Sequence, residues 1–584
     1  MIKLLTKHLK LKEWVEIICA IGLITLHVWL DLKMPEYMNT ITRLVETPGS
    51  KMSDIWINGG YMLACAASSA VLSVIVGFFA ARISSGVAKQ LRSDVFGKVL
   101  SFSKREMSRF STASLITRTT NDVSQIQRFV AMGLQVLIKA PIMAVWAILK
   151  ILGKGWQWSI ATAVAVVILV CVILTIMLIA LPKFKKMQTL TDNVNRVTRE
   201  NLTGLRVVRA YNAENFEAKK FEKANNELTK TGLFTHRLMQ FMWPSMSIIM
   251  SGLSLAIYWI GAYLINGAAD FDKLSLFSDM IVFSSYAMQV VMSFIMLTMI
   301  FIMLPRASVS AKRLNEVLST SPSILDGQGN FQTTSEGVVE FKNVSFKYPD
   351  AEEYVLHNIS FIAEKGQTVA FIGSTGSGKS TLINLVPRFY DVTEGEVLVD
   401  GVNVKDYRLE ELNNKLGYIS QRAVLFSGTV ASNIAFGEDK DSVVTDQDVM
   451  DAVKIAQAKT FVEKMEGTYS APIAQGGTNV SGGQKQRLSI ARAIARKPEI
   501  IIFDDSFSAL DYKTDKKLRK ALDKHLSSVT RLIVAQRIGT IKNADKIIVL
   551  DSGEMVGMGT HDELMQTCEV YKEIALSQLS QEEL

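Results

Sequence analysis

The sequence is poor in cysteine and in charge for its length. Its four cysteines among 584 residues make neither a disulfide framework nor a CxxC pair, so metal or redox chemistry through sulfur is disfavoured. Charged residues make up 21% and hydrophobic residues 48%, and the mean hydropathy is +0.21. Such a chain is neither disordered nor a row of roughly four soluble domains. A basic patch interleaved with stacking aromatics is also missing, so the net charge of +8 does not indicate a nucleic-acid partner.

The apolar residues are concentrated before about Leu304, in six runs long enough to cross a bilayer, which takes about 20 helical residues. We place the six runs at 14–32, 56–81, 129–152, 158–181, 241–265 and 276–304. The first run follows a basic start, but it is too long for a signal peptide and five more follow it. The sequence therefore predicts six transmembrane helices, the first of them retained.

Loop charge predicts the orientation of these helices. The segments 82–128 and 182–240 carry nine and twelve Lys or Arg, whereas 266–275 carries one. Positive residues favour the cytoplasmic side, so we expect both long loops, both termini and the second half of the chain in the cytoplasm. The two long loops contain helical stretches at 88–102 and 198–224, which predict helical extensions reaching some 25–35 Å beyond the bilayer.

Polar and soft side chains inside the runs are candidate substrate contacts. Lys139 lies near the middle of the third run and Asp279 near the outer start of the sixth; pairing with a neighbouring helix is the alternative for each. The sixth run also repeats methionine along one helical face, which suits varied apolar ligands or ordinary packing. The face comprises Met288, Met292, Met296, Met299 and Met303.

Beyond the membrane half, the chain changes to short strand-length and helix-length elements. A linker at 319–335 divides it into a transmembrane domain at 1–318 and a second domain at 336–584. There an apolar strand at 368–373 runs into GSTGSGKS, a GxxxxGK[ST] loop followed by a helical stretch. The glycines let the backbone approach phosphates, Lys379 reaches the β- and γ-phosphates, and the Ser380 hydroxyl ligates Mg²⁺. We expect ATP and Mg²⁺ here.

Further motifs follow in a fixed order. An apolar strand at 499–503 ends in Asp504 and Asp505, and a carboxylate there typically holds Mg²⁺. Between the two strands lies VSGGQ, at 480–484, which resembles the LSGGQ signature of ATP-binding cassette (ABC) proteins. Tyr348 in FKYP, Gln421 in YISQ and the SALD stretch at 508–511 match the same family. Residues 204–225 look like the second intracellular loop of six-span ABC exporters, so the resemblance covers essentially the whole chain.

The resemblance implies a half-transporter: an all-α six-helix transmembrane domain with long intracellular extensions, followed by an α/β P-loop nucleotide-binding domain. Two chains would pair their nucleotide domains head to tail, with each ATP between one P-loop and the other chain's signature. Segments near 109–115 and 211–217 would be coupling helices. The implied site residues are Tyr348 on adenine; Gly373, Ser374, Thr375, Gly376, Ser377, Gly378, Lys379, Ser380 and Thr381 around the phosphates; Gln421 and Asp504 at Mg²⁺ and the attacking water; Asp511; and Ser481, Gly482, Gly483 and Gln484 facing the partner's γ-phosphate.

The sequence departs from the family where hydrolysis is catalysed. The general base is Glu in competent members, and here it is Asp505, whose shorter side chain withdraws the carboxylate by roughly 1.5 Å. A misplacement of about 1 Å can cost ~10²-fold in rate. The switch histidine is replaced by Gln536, which has no ionisable proton, and Gln475 stands where exporters usually have Glu. We therefore expect an impaired site on this chain's own P-loop, as in the degenerate subunit of bacterial heterodimeric multidrug exporters.

The predicted function is ATP-driven export of amphipathic drugs or lipid-like compounds by alternating access. The predicted partner is a non-identical half-transporter bearing Glu and His at the base and switch positions, with a slow homodimer as the alternative. Lipid or peptide export and an ATP-gated channel or regulatory subunit remain open as alternatives. An importer is disfavoured because its membrane and ATP-binding parts are usually separate chains.

Overall fold

The computed structural model describes residues 11–47, 49–329, 331, 335–349, 351–437 and 444–578. It divides into two compact units. The first comprises the described residues of Met1–Leu100 and Thr112–Thr320, and the second comprises those of Ser101–Ser111 and Ser321–Leu584. The short segment at 101–111 therefore packs with the second unit although it is flanked by helices of the first.

The first unit is all helical. The α-helices up to residue 319 are, in chain order, α1 Leu11–Glu46, α2 Met52–Leu100, α3 Lys104–Arg109, α4 Thr112–Thr117, α5 Val123–Met132, α6 Ile138–Ile151, α7 Trp156–Thr203, α8 Leu205–Ala210, α9 Glu214–Gln240, α10 Met242–Gly267 and α11 Asp270–Ser319. Of these, α3 belongs to the second unit. Among the described residues, six helical stretches are long and apolar enough to cross a membrane. The six predicted runs lie within these stretches, and several continue well past bilayer length, as α2 does with 49 residues and α7 with 48.

Two departures from regular helix interrupt the third stretch. π-Helical turns occupy Arg118–Asp122 and Gly133–Leu137. The second ends at Leu137, four residues before Pro141. Because proline has no N–H to donate to the Leu137 carbonyl, the regular hydrogen-bond ladder is broken at that point. The helix predicted at 198–224 is also wrong as a single element. It is divided at Gly204 and again before Glu214, where Asn212 adopts a left-handed conformation with φ of 49°.

The second unit is an α/β domain. Its strands are β1 Val339–Phe346, β2 Leu356–Ala363, β3 Thr368–Gly373, β4 Glu394–Val399, β5 Val402–Asn403, β6 Leu416–Ile419, β7 Gly428–Thr429, β8 Pro472–Ile473, β9 Ile500–Asp504, β10 Thr530–Val534, β11 Lys546–Asp551 and β12 Glu554–Gly559. Its further α-helices are α12 Lys379–Ile383, α13 Leu409–Lys415, α14 Val430–Ile434, α15 Asp446–Ile455, α16 Lys459–Val462, α17 Gly482–Ala495, α18 Tyr512–His525, α19 Ile538–Ile541, α20 His561–Thr567 and α21 Glu569–Gln578.

A six-stranded sheet organises this unit, in the order β12-β11-β3-β10-β9-β6. The pairs β11/β3, β3/β10, β10/β9 and β9/β6 are parallel, and β12 is antiparallel at one edge. The buried strands read as continuous apolar runs, as in Ile500–Phe503, because both faces of a parallel sheet are covered. A separate antiparallel sheet, β2-β1-β4-β5, packs its apolar residues into a second core with Phe371 and Ile502.

Candidate functional site

The parallel strands bring the chemistry-bearing segments to one edge of the sheet. The loop after β3 is the P-loop, β9 ends in Asp504, Gln536 follows β10, and Gln421 follows β6. The carboxyl ends of parallel strands meet at the same edge, which is where ligands bind in such sheets. Segments more than 150 residues apart in the chain therefore form one site.

The P-loop backbone has the shape of a phosphate cradle. Gly373, Gly376 and Gly378 all have positive φ, and a Cβ on Gly373 would lie 1.9 Å from the Leu550 carbonyl oxygen. A Cβ on Gly376 would meet open space, so this glycine is required by its φ of 88° rather than by crowding. The Lys379 Nζ donates to the carbonyls of Gly373 and Ser374 at 2.9 and 2.6 Å, and burial lowers the pKa of its ammonium, with Asp505 opposing that shift.

Ser380 and Asp504, the two residues predicted to hold Mg²⁺, are in direct contact. The Ser380 hydroxyl donates to Asp504 Oδ1 at 2.7 Å, which places two hard oxygen ligands together. The described residues contain no group of three His, Cys, Asp or Glu that could hold a metal by themselves. The oxygen pair of Ser380 and Asp504 fits Mg²⁺, which in nucleotide sites uses one or two protein oxygens, nucleotide phosphates and waters.

Asp505 occupies the position expected for the catalytic base. Its Oδ2 accepts one hydrogen bond from the Gln421 side-chain amide at 3.3 Å and another from Gln536 at 3.0 Å. The residue has a left-handed φ of 47° and is 8% exposed. Burial raises the pKa of its carboxyl, and Asp504 adds to this shift, while the Gln421 bond opposes it. The family residue Gln421 and the departure Gln536 thus both contact the departure Asp505 directly.

The predicted adenine partner lies among other aromatic rings. Tyr348 meets Phe346 and Tyr390 edge-on, with ring centroids 5.1 and 5.3 Å away, and its hydroxyl is 2.9 Å from Thr381 Oγ1. The ring is therefore held next to the helix that follows the P-loop. Its stacking on adenine stays a prediction.

The signature residues form a second group at the start of α17. The Ser481 hydroxyl accepts the Gln484 N–H at 3.3 Å, and the Gln484 side chain accepts the Ser481 N–H at 2.9 Å, which is a capping box. Gly483 lies beside the Ala509 carbonyl, and Asp511 caps α18 through the Thr514 N–H at 2.9 Å. The Thr514 bonds hold the pKa of the Asp511 carboxyl below its usual value. Ser481 and Gly482 are exposed.

Two residues near the site were not anticipated from the sequence. Tyr418, within the YISQ stretch, reaches Asn384 at 3.1 Å and Asp504 at 3.5 Å through its hydroxyl, and burial raises its pKa. Lys104, on the short helix α3, lies 4.7 Å from the centre of the Phe389 ring. Burial lowers the pKa of Lys104 and the charge of Asp504 opposes this shift, so the lysine contributes positive charge near the metal-binding carboxylate.

The predicted substrate contacts lie in the first unit and are not gathered around one point. Lys139 donates to Asp31 Oδ2 at 3.1 Å and contacts His27 Nε2 at 3.2 Å, so it is engaged with α1. Of the methionines on α11, Met292 is 45% exposed, while Met288 and Met296 are half-buried. Asp279 accepts from Lys154 at 3.0 Å.

Six membrane-length helical stretches, a P-loop at the edge of a parallel sheet and a signature helix together define a membrane-bound P-loop ATPase. Residues 17–316 match the family described as ABC transporter transmembrane region, and residues 356–508 match the family described as ABC transporter. The chain belongs to the ABC transporter family, as an exporter-type half-transporter with both parts in one polypeptide. It is a multi-pass membrane protein with a cytoplasmic nucleotide-binding domain, and the predicted fold class and localisation are confirmed.

Relatives match along nearly their full length. The chain is 40% identical over 548 residues to an uncharacterized ABC transporter ATP-binding protein of Mycobacterium tuberculosis, covering 93% of each. It is 32% identical over 501 residues to an ATP-dependent lipid A-core flippase of Pseudomonas aeruginosa, covering 84% of this chain and 80% of the flippase. It is 30% identical over 531 residues to a multidrug resistance ABC transporter ATP-binding and permease protein of Lactococcus lactis, covering 90% and 88%. In fold it matches a bacterial Atm1-family ABC exporter with ATP bound, with a TM-score of 0.81 at 24% identity over 97% of this chain and 98% of that one.

Proposed function

We propose that this chain is the degenerate-site half of a heterodimeric ABC exporter. Its own P-loop would bind ATP and hydrolyse it poorly, and its signature would complete a competent site on a non-identical partner. The observation that carries the proposal is the contact of Asp505 with Gln421 and Gln536. No other carboxylate or imidazole takes part in that network among its described hydrogen bonds.

The chemistry of this contact argues against efficient proton abstraction. A general base needs a carboxylate oxygen within hydrogen-bond reach of the attacking water. Asp505 Oδ2 already accepts two amide N–H groups, and the side chain is one methylene shorter than Glu. Gln536 is a neutral donor, so it supplies neither the charge nor the exchangeable proton of a histidine. The raised pKa of Asp505 strengthens it as a base, but its position and its two donors work against that use.

The residues expected to bind the nucleotide and Mg²⁺ are all present in this chain. Lys379 and the P-loop N–H groups would hold the phosphates, and Ser380 with Asp504 would hold Mg²⁺, which neutralises phosphate charge when bound. The capped, exposed signature at Ser481 is suited to face another chain's nucleotide. Retained binding with weakened hydrolysis gives an asymmetric pair in which one ATP is consumed faster than the other.

The substrate is proposed to be amphipathic, either a lipid-like compound or a drug. The first support is the partly exposed methionine face of α11, whose soft side chains adapt to varied apolar ligands. The second is that two relatives are a lipid flippase and a multidrug transporter. A direct contact to Lys139 would require the pair with Asp31 to open, so we assign the cargo surface to Met288, Met292 and Met296 rather than to Lys139.

The proposal is tested by ATPase assays on the purified chain alone and with a half-transporter encoded beside it. The chain alone should be nearly inactive, and the pair should hydrolyse ATP. Asp505→Glu together with Gln536→His should then raise hydrolysis at the chain's own site by about 10²-fold, the cost of a misplaced base. Asp505→Asn with Gln536→His is the matched control, since it restores the switch residue without a base, and should give no gain. Substantial ATPase from the wild-type chain alone would contradict the proposal.

A further inference from the structure

An apolar cavity of about 850 Å³ lies at the outer ends of α6 and α7, where they meet α11. Its lining includes Ile151, Leu152 and Ile160 on the α6–α7 hairpin and Val290 and Phe294 on α11. Ligand pockets in proteins typically measure about 300–1,000 Å³, so the space is large enough for a bound molecule. Because the nucleotide domain is cytoplasmic, the 152–155 turn of this hairpin faces the outer side of the membrane.

The cavity is open at its side. Leu152 is 62% exposed and Trp156 is 70% exposed, and both belong to its lining. Tryptophan is enriched at the level of lipid headgroups, so Trp156 at the start of α7 fits a cavity that begins at the interface and extends inward. An acyl chain could therefore enter it from the outer leaflet without crossing protein.

Two cations share one carboxylate at the top of the same face of α11. Lys154, in the turn between cavity-lining Gly153 and Gly155, lies 3.0 Å from Asp279 Oδ1, and Arg43 lies 3.8 Å from Asp279 Oδ2. Asp279 precedes Val290 by 11 residues on α11. On a regular helix the two side chains therefore point in directions about 20° apart and are separated by roughly 16 Å along the helix axis. The charged trio therefore carries a net charge of +1 directly above the cavity.

We propose that this is an outer-leaflet site for an anionic lipid, with an acyl chain in the cavity and a singly negative phosphate headgroup against the exposed sides of Lys154 and Arg43, which Asp279 bridges. In this arrangement neither ion pair with Asp279 has to open. The excess positive charge and the apolar space below it match the two ends of such a molecule. A zwitterionic lipid has the same chains but no net charge for the trio to attract. The site does not depend on whether the ATP site is degenerate.

The test uses the full chain reconstituted in vesicles that contain either phosphatidylglycerol or phosphatidylcholine with brominated acyl chains. The readout is the bromine quenching of Trp156 fluorescence, taken as the difference between the wild-type chain and Trp156→Phe. One nearby cation is worth about a fivefold preference for an anionic lipid. Phosphatidylglycerol should therefore quench Trp156 at roughly a fifth of the mole fraction that phosphatidylcholine needs.

Variants separate the headgroup from the cavity. Lys154→Gln should abolish the preference for phosphatidylglycerol, and Lys154→Arg should keep it. Lys51→Gln, which removes an exposed cation from the neighbouring 49–51 segment, should leave the preference unchanged. Ala163→Phe, which fills the cavity, should reduce quenching by both lipids. Equal quenching of the wild type by the two lipids overturns the proposal, and so does a Trp156 that neither lipid quenches, because a protein helix would then cover the cavity.

Discussion

At the scale of single residues, the site depends on how Asp505 is surrounded. Its carboxyl lies beside Asp504 in the chain, is buried, and accepts hydrogen bonds from two neutral amides, while the charge of Arg537 acts on it as a smaller opposing influence. Burial raises the pKa of this carboxyl above its ordinary value, so the folded state holds a proton more tightly than the unfolded state. The free energy of unfolding therefore falls as pH rises from the ordinary aspartate pKa through the raised pKa of Asp505. At neutral pH, where the carboxyl is ionised, Asp505 destabilises the folded state.

Asp505→Asn should accordingly stabilise the nucleotide-binding domain at neutral pH, because the amide is never ionised. We expect a melting temperature higher by roughly 2–4 °C at pH 7 and a smaller difference near pH 4, measured by intrinsic fluorescence of the full chain without nucleotide. Asp511→Asn is the control with the opposite sign, since hydrogen bonds from Thr514 lower the pKa of Asp511 and its ionised form is favoured. A lower melting temperature for Asp505→Asn at pH 7 would contradict the assignment.

The residues that the sequence alone could predict were those carried by contiguous motifs. Lys379 and Ser380 belong to one loop whose conformation is encoded by its own glycines, and Asp504 follows an apolar strand directly. Lys104 could not be found in this way, because its place beside Phe389 results from packing between segments that are 285 residues apart. The direct contact of Gln421 and Gln536 with one oxygen of Asp505 likewise depends on strand order, which local patterns do not encode.

At the scale of elements, the number of membrane helices follows from hydropathy, while their lengths and interruptions do not. The predicted runs end where apolar residues end, yet α2 and α7 continue as polar helices. Nothing in composition marks the π-helical turn at Arg118–Asp122. There the Arg118 guanidinium donates to the Arg313 carbonyl at 2.6 Å and pairs with Glu316 at 2.9 Å, and Asp122 accepts from Ser310 at 2.9 Å. Polar contacts thus join this turn to the end of α11.

Removing Asp122 should loosen that junction. In Asp122→Ala, the buried Ser310 hydroxyl loses its acceptor and Arg313 loses a carboxylate 3.3 Å away. We expect a loss of about 1–3 kcal/mol in the free energy of unfolding, measured by thermal or denaturant unfolding in detergent. Asp192→Ala, on an exposed part of α7, is the control. Equal stability of the two variants would show that the junction contributes nothing measurable.

A second set of polar contacts lies within the membrane part. Asp31 accepts from Lys139 and from Ser69, and His27 is 3.5 Å from the same carboxylate. A half-buried ion pair thus joins α1 to α6, and a hydrogen bond joins it to α2. Breaking one side of a buried pair leaves an uncompensated charge, which costs more than removing both members. Because this pair is half-buried, Asp31→Asn and Lys139→Met should each lower the free energy of unfolding by about 1–3 kcal/mol, and the double variant should be more stable than either. Additive losses in the double-variant cycle, measured by unfolding in detergent, would mean that the two side chains do not interact.

At the scale of the whole molecule, the proposed asymmetry means that the chain would contribute two unequal halves to two ATP sites. Its signature keeps the Ser-Gly-Gly-Gln sequence and a formed capping box, whereas the network at its own P-loop has the shorter Asp505 at the base position and the Gln536 amide at the switch position. In a head-to-tail pair, the signature serves the partner's nucleotide and the P-loop serves this chain's own. The two motifs of one polypeptide therefore act in different sites, and damage to each should have different consequences.

Changes to the signature and to the P-loop of this chain should therefore have unequal effects, which a symmetric homodimer would not show. In the reconstituted pair, Ser481→Arg in this chain should lower ATP hydrolysis more than tenfold, because a large cation replaces a small hydroxyl at the competent site. Lys379→Met should lower hydrolysis severalfold at most, while abolishing nucleotide trapping at this chain's own P-loop, because that site binds ATP and hardly turns it over. The measurement is steady-state ATPase together with photolabelling of each chain by an azido-ATP analogue. The same two changes made in the partner should show the reverse order, and equal losses from Ser481→Arg and Lys379→Met would mean that both sites hydrolyse ATP alike.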